Sequence, residues 1–217
     1  MAASASGAGA DDAHERDWAR LRAIAEAGRA RPLLGGAPLV IWGLAIAAAA
    51  IGHWAITARL VPAPLWVLAP WWFALTSGAA VLAAVAMRRE GGAPGAESVA
   101  NRVSAAVWRM GGTFLGTLAI GFVVFAAWAA SRGAPEAWLL MAAMPPVTFG
   151  VYGIALAATA VAADARWLLP YAWGSLGFTV ATAVAIGTSA QFPLMAAGAL
   201  LVSVLPGLRL LRSREGG

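Results

Sequence analysis

Six apolar stretches, each about as long as the roughly 20 residues that cross a hydrocarbon core, decide what this chain can fold into. They fall at residues 38–57, 65–87, 110–130, 138–163, 167–187 and 192–211. Inside lipid no water is present to satisfy a backbone N–H or C=O, so a run of this kind becomes a helix that bonds to itself. Charge content points the same way. Only 12% of the 217 residues are charged, where a soluble domain carries about a quarter. The expected fold class is all-α: a polytopic membrane protein of six transmembrane helices packed as three antiparallel hairpins.

Ahead of the first stretch lies a different kind of sequence. Residues 1–10 are small and uncharged and read as a disordered tail. Residues 11–32 read as a short cytoplasmic amphipathic helix. Asp12 and Glu15 have capping-box spacing, Trp18, Leu21 and Ile24 form the apolar face, and Gly28 and Pro32 mark the end. The transmembrane domain is expected over residues 33–212, followed by a cytoplasmic tail at 213–217.

Orientation follows from arginine, because basic residues are retained on the cytoplasmic side. All 15 basic residues are Arg. Thirteen of them flank the helices on the side of both termini, and two, Arg59 and Arg132, lie on the other side. Both ends are therefore expected in the cytoplasm, at the inner membrane of a bacterium. Trp54, Trp66, Trp71, Trp72, Trp128 and Trp138 mark the outer boundary, and Trp108, Trp167 and Trp173 the inner one. Indole rings prefer such interfaces, although Trp66, Trp71 and Trp72 are also close enough in sequence to build a stacking pocket.

Chemistry is sparse. No cysteine is present, which removes disulfides, thiolate nucleophiles and thiolate metal sites. The six cores carry no ionisable residue near the midplane, and such a residue is what ion-coupled transport needs. Asp164 and Glu136 read as boundary charges. His53 reads as an interfacial residue. His14, with Asp11 and Glu15 at helical spacing, reads as part of a solvated face rather than as a metal ligand. Ser175, in Gly174-Ser175-Leu176-Gly177, has no histidine after His53 to act as its base. The glycines there, and those of Gly112-x-x-x-Gly116, are read as contacts between helices. Prolines at 70, 145, 146 and 206 are expected to kink their helices, and Thr76, Ser77, Thr148 and Tyr152 are the candidates to line a small polar cavity beside those kinks.

No catalytic, cofactor-binding or metal residues are expected. The first functional expectation is a membrane-anchored regulator or accessory subunit that contacts a cytoplasmic or membrane partner through Trp18, Leu21 and Ile24. The alternative is a small permease or facilitator for an uncharged or lipophilic solute. Expected partners are membrane lipids, anionic on the cytoplasmic face, and another protein or a second copy of the chain. Nucleic acid is not among them, because the arginines are dispersed between apolar segments.

Overall fold

The structure, a computed structural model, describes residues 17–20, 33–92 and 96–215. The chain divides into two units, Met1–Pro32 and Leu33–Gly217. In the first, residues 17–20 are helical and exposed. Leu21 and Ile24, the proposed cap at Asp12 and Glu15, and the His14 group lie outside the described residues.

The described part of the second unit is helical with connecting turns and contains no strand. Its helices are α1 (Gly36–Thr57), α2 (Leu68–Glu90), α3 (Val99–Ala130), α4 (Met144–Ala162), α5 (Leu169–Val184), α6 (Gln191–Ala199) and α7 (Leu205–Glu215). A π-helical turn, Leu200–Val204, joins α6 to α7 in one rod. Short 3₁₀ turns at Leu65–Val67, Pro135–Ala143 and Arg166–Leu168 lead into α2, α4 and α5. Among the described residues five helical runs are long and apolar enough to cross a membrane: Gly36–Thr57, Leu65–Glu90, Val99–Ala130, Leu139–Ala162 and Gln191–Ser213. The stretch expected at 167–187 forms α5, whose 16 residues rise only about 24 Å.

Cross-helix hydrogen bonds set the levels of these helices. At one end, Asn101 Oδ1 accepts from Leu34 N at 2.9 Å and Glu90 Oε2 accepts from Gly35 N at 2.9 Å, so the start of α1, the end of α2 and the start of α3 coincide. The Ser104 and Thr159 hydroxyls, 3.2 Å apart, add the end of α4 to that level. At the other end Trp72 donates to His53 Nδ1 at 3.0 Å, joining the start of α2 to the end of α1. Gln191 Nε2 donates to Ala142 O at 2.6 Å, which puts the start of α6 beside the start of α4.

The α6–α7 rod lies at the centre. Of its most apolar window 56% is buried, against 6% for α3. Ala47 and Ala50 of α1, Phe149 of α4 and Met195, Ala196, Ala199 and Val202 of the rod form one core cluster. A second joins Leu156 and Ala160 of α4 to Leu168 and Ala172. Small residues suit this role, since lipid tails are as apolar as leucine and helices associate through close packing instead. Neighbours in sequence pack together except α2 and α3, and α1 also packs along the whole rod. Each of α2 and α3 leans on one other long helix, α1 and α4 respectively. Hydroxyls that would be costly in lipid bond to their own helix, as Thr76 does to Trp72 O at 2.7 Å and Thr182 to Phe178 O at 2.7 Å.

The prolines differ from the expected pattern. Pro145 and Pro146 open α4 rather than kink it, and Pro70 lies in the first turn of α2. First-turn N–H groups have no intrahelical acceptor, so proline removes nothing there. Pro206 is the exception. It is the second residue of α7, one residue past the π turn, where a widened turn relieves its ring from the carbonyl four residues back.

Candidate functional site

Two polar sites in the described part of the helical unit join elements distant in sequence. The first is the junction where the chain enters α1. Gly35 has φ +102, a conformation that favours glycine, and it turns the backbone so that the N–H groups of residues 34 and 35 point to α3 and α2. The Glu90 carboxylate, 9% exposed, thus stands at the N-terminus of α1, where unpaired N–H groups and the helix dipole favour negative charge. Asn101, 7% exposed, is itself placed by Ser98, which caps α3 and accepts from Asn101 N at 3.3 Å. Neither residue stands out in the sequence. Their only signal there is a lone acid at the end of an apolar run and an amide in the first turn of the next helix.

The second place is a cleft where α1, α4 and the rod converge. Thr148 and Tyr152 line it with Ile46 and Ser203. Tyr152 hydrogen-bonds to Ser203, whose hydroxyl donates to Leu39 O at 2.7 Å. The cleft holds about 10 Å³, the room of about one water. Thr76 and Ser77 are not among its lining residues. They sit on α2, and Thr76 bonds to its own helix. The structure thus brings two of the four expected cavity residues together and leaves the other two apart.

Near the end of α1 and the start of α2, three aromatic side chains are engaged with the protein. Trp71 donates to Ala49 O at 3.2 Å, and a Cβ at Gly52 would stand 2.6 Å from its indole nitrogen. His53 stacks on Phe192, ring centroids 3.6 Å apart, while Trp72 holds its Nδ1. Trp66 is 73% exposed. Ser175 is fully buried and donates to Phe149 O at 2.8 Å, tying α5 to α4. A methyl group added at Gly112, Gly116 or Gly177 would meet nothing within 4 Å among the described residues, so no close helix approach within them depends on these glycines. Among the described residues no group of three or more potential metal ligands occurs. In the N-terminal unit, Trp18 is 53% exposed on its helical turn. No protein-family model matches the chain, and no curated protein and no solved structure is significantly similar to it.

Proposed function

We propose that this chain is a non-catalytic protein of a bacterial inner membrane, crossing it six times as three antiparallel hairpins with both termini in the cytoplasm. In this reading it acts as a regulator or accessory subunit, holding a protein partner through its N-terminal segment. Two features support six crossings. The 3₁₀ turn before α5 adds about 6 Å to its 24 Å, which matches a core of about 30 Å. The Gln191 bond to Ala142 O also requires the chain to return the full height of α4 between the end of α4 and the start of α6. The arginine asymmetry supports the orientation.

The observation that carries the functional reading is the anchored junction. Residues 34 and 35, directly after the polar segment, are fixed to α2 and α3 by Glu90 and Asn101. A partner seated on the segment would act on a chain whose exit from the bundle is held in place. Exposed Trp18 supplies an aromatic anchor of the kind that dominates protein contacts. The facilitator reading draws on the Tyr152 cleft, which at about 10 Å³ has no room for a solute. A pull-down from native membranes tests the proposal, comparing full-length protein, a form lacking residues 1–31, and Trp18→Ala. A near-stoichiometric partner lost with the truncation and weakened at least tenfold by Trp18→Ala, about 1.4 kcal/mol, supports it. A partner retained equally by all three, or no partner in any, overturns it.

A further inference from the structure

Between α4 and α5 lies a crevice of about 170 Å³. Ile154 and Ala157 form one wall, Leu169, Trp173 and Leu176 the other. Its floor depends on Gly153, where a Cβ would stand 3.0 Å from Leu176 Cδ2 and 3.2 Å from Ala172 O. Ile154 is 67% exposed and Trp173 71% exposed, so the walls face whatever surrounds the bundle. Buried Ala172 lies at the bottom of the crevice and joins it to the second core cluster, where Leu156, Ala160 and Leu168 are the other members.

One end of this apolar crevice is cationic. Arg166 opens the 3₁₀ turn Arg166–Leu168, and residues three apart eclipse in such a turn, so Arg166 stands over Leu169 at the mouth. Its side chain is 90% exposed and reaches Asp164 only at 3.9 Å, a surface contact of little strength. Arg209 lies at the same boundary, its guanidinium carbon 4.5 Å from the Trp167 ring centroid. From Arg166 to Trp173 the wall descends about 12 Å. A ligand complementary to this surface has an anionic head and an apolar tail that runs inward from it.

We propose that the α4–α5 crevice binds one anionic phospholipid, its phosphate on Arg166 with Arg209 adding charge, and one acyl chain along Leu169, Trp173 and Leu176. The site rests on the membrane-spanning reading alone and holds whether or not the N-terminal segment has a partner. The lipid comes from the leaflet on the Arg166 side, which is the cytoplasmic one in the proposed topology.

The test is native mass spectrometry of the purified full-length protein, titrated with dioleoyl phosphatidylglycerol or dioleoyl phosphatidylcholine. Arg166→Gln and Trp173→Ala change exposed side chains, and monodisperse elution with unchanged thermal unfolding verifies that each variant folds. Wild type is expected to retain phosphatidylglycerol more tightly than phosphatidylcholine. Arg166→Gln is expected to weaken phosphatidylglycerol about fivefold, the worth of one basic residue at a membrane surface, and to leave phosphatidylcholine unchanged. Trp173→Ala is expected to weaken both. Asp164→Asn, which removes the competing carboxylate, is expected to strengthen phosphatidylglycerol. Equal retention of the two lipids by wild type, or phosphatidylglycerol binding unaltered by Arg166→Gln or by Trp173→Ala, overturns the proposal.

Discussion

Replacing Gly207 by alanine puts a methyl group into the closest approach between α1 and α7. A Cβ there stands 2.8 Å from Gly36 O, 2.9 Å from Val40 Cγ2 and 3.0 Å from Leu39 Cβ. The reciprocal position is equally tight, with a Cβ at Gly36 only 2.8 Å from Gly207 O. Only the Val40 contact could ease by side-chain rotation, because a carbonyl oxygen and a Cβ move only with their helix. The shortfall from ordinary contact is about 0.7 Å, and the helices must separate by about that much. Overpacking of this kind costs about 1–3 kcal/mol. Alanine also gains about 1 kcal/mol of helix propensity over glycine, which obscures the clash in a single variant. Gly112→Ala is the matching control. It makes the same change inside a helix, and nothing lies within 4 Å of the new methyl. The difference between the two variants isolates the clash, so Gly207→Ala is expected to be less stable than Gly112→Ala by about 1–3 kcal/mol. Tryptophan fluorescence during unfolding in mixed micelles measures it. Gly207→Ala as stable as Gly112→Ala, or more so, refutes the close packing of α1 on α7.

Gln191→Leu removes the donor shared by Ala142 O and Thr182 O at 2.6 and 3.2 Å, and thermal unfolding in detergent should show a loss of about 1–3 kcal/mol for the stranded carbonyls. Glu90→Ala should cost about 1–2 kcal/mol in the same assay, whereas Glu90→Gln keeps an acceptor for Gly35 N and should lose less than half as much. Pro70→Ala should change stability by less than about 1 kcal/mol, since the exposed proline sits in the first turn of α2; a larger loss would mean that it shapes the helix. Ser203→Ala should destabilise the bundle by about 0.6–2 kcal/mol through loss of its 2.7 Å bond to Leu39 O.

The helical class and the apolar runs are legible in the sequence because both are local: a stretch that cannot satisfy its backbone with water has one solution. The boundaries of α1 agree with expectation to within two residues, since Gly35 before it and Arg59 after it are strong local signals. The prolines depart from expectation for a positional reason. Their effect depends on where the first turn falls, and the 3₁₀ lead-in over Pro135–Ala143 moves that turn onto Pro145 and Pro146. Glycine is half legible. Spacing shows that Gly112 and Gly116 share a face, but whether a neighbour covers it depends on tertiary arrangement. The polar contacts are the least visible. Glu90 with Gly35 spans 55 residues and Ser203 with Leu39 spans 164, and such pairings arise only once the helices are packed. Thr148 and Tyr152 fall together because residues four apart on one helix share a face. Thr76 and Ser77 belong to α2, which packs on α1 and takes no part in the cleft.

The central claim, six crossings with both ends on one side, is open to direct measurement because the chain has no native cysteine. Single cysteines introduced by Leu60→Cys, Glu97→Cys, Gly133→Cys, Asp164→Cys, Thr188→Cys and Ser213→Cys sample the connectors and the C-terminal end. Each is treated with a membrane-impermeant maleimide on intact cells and again after permeabilisation. The account predicts labelling of residues 60, 133 and 188 on intact cells, and of residues 97, 164 and 213 only after permeabilisation. Residues 164 and 188 bracket α5 and carry most of the weight. Labelling of both from the same side would mean that α5 does not cross, and it would contradict the account.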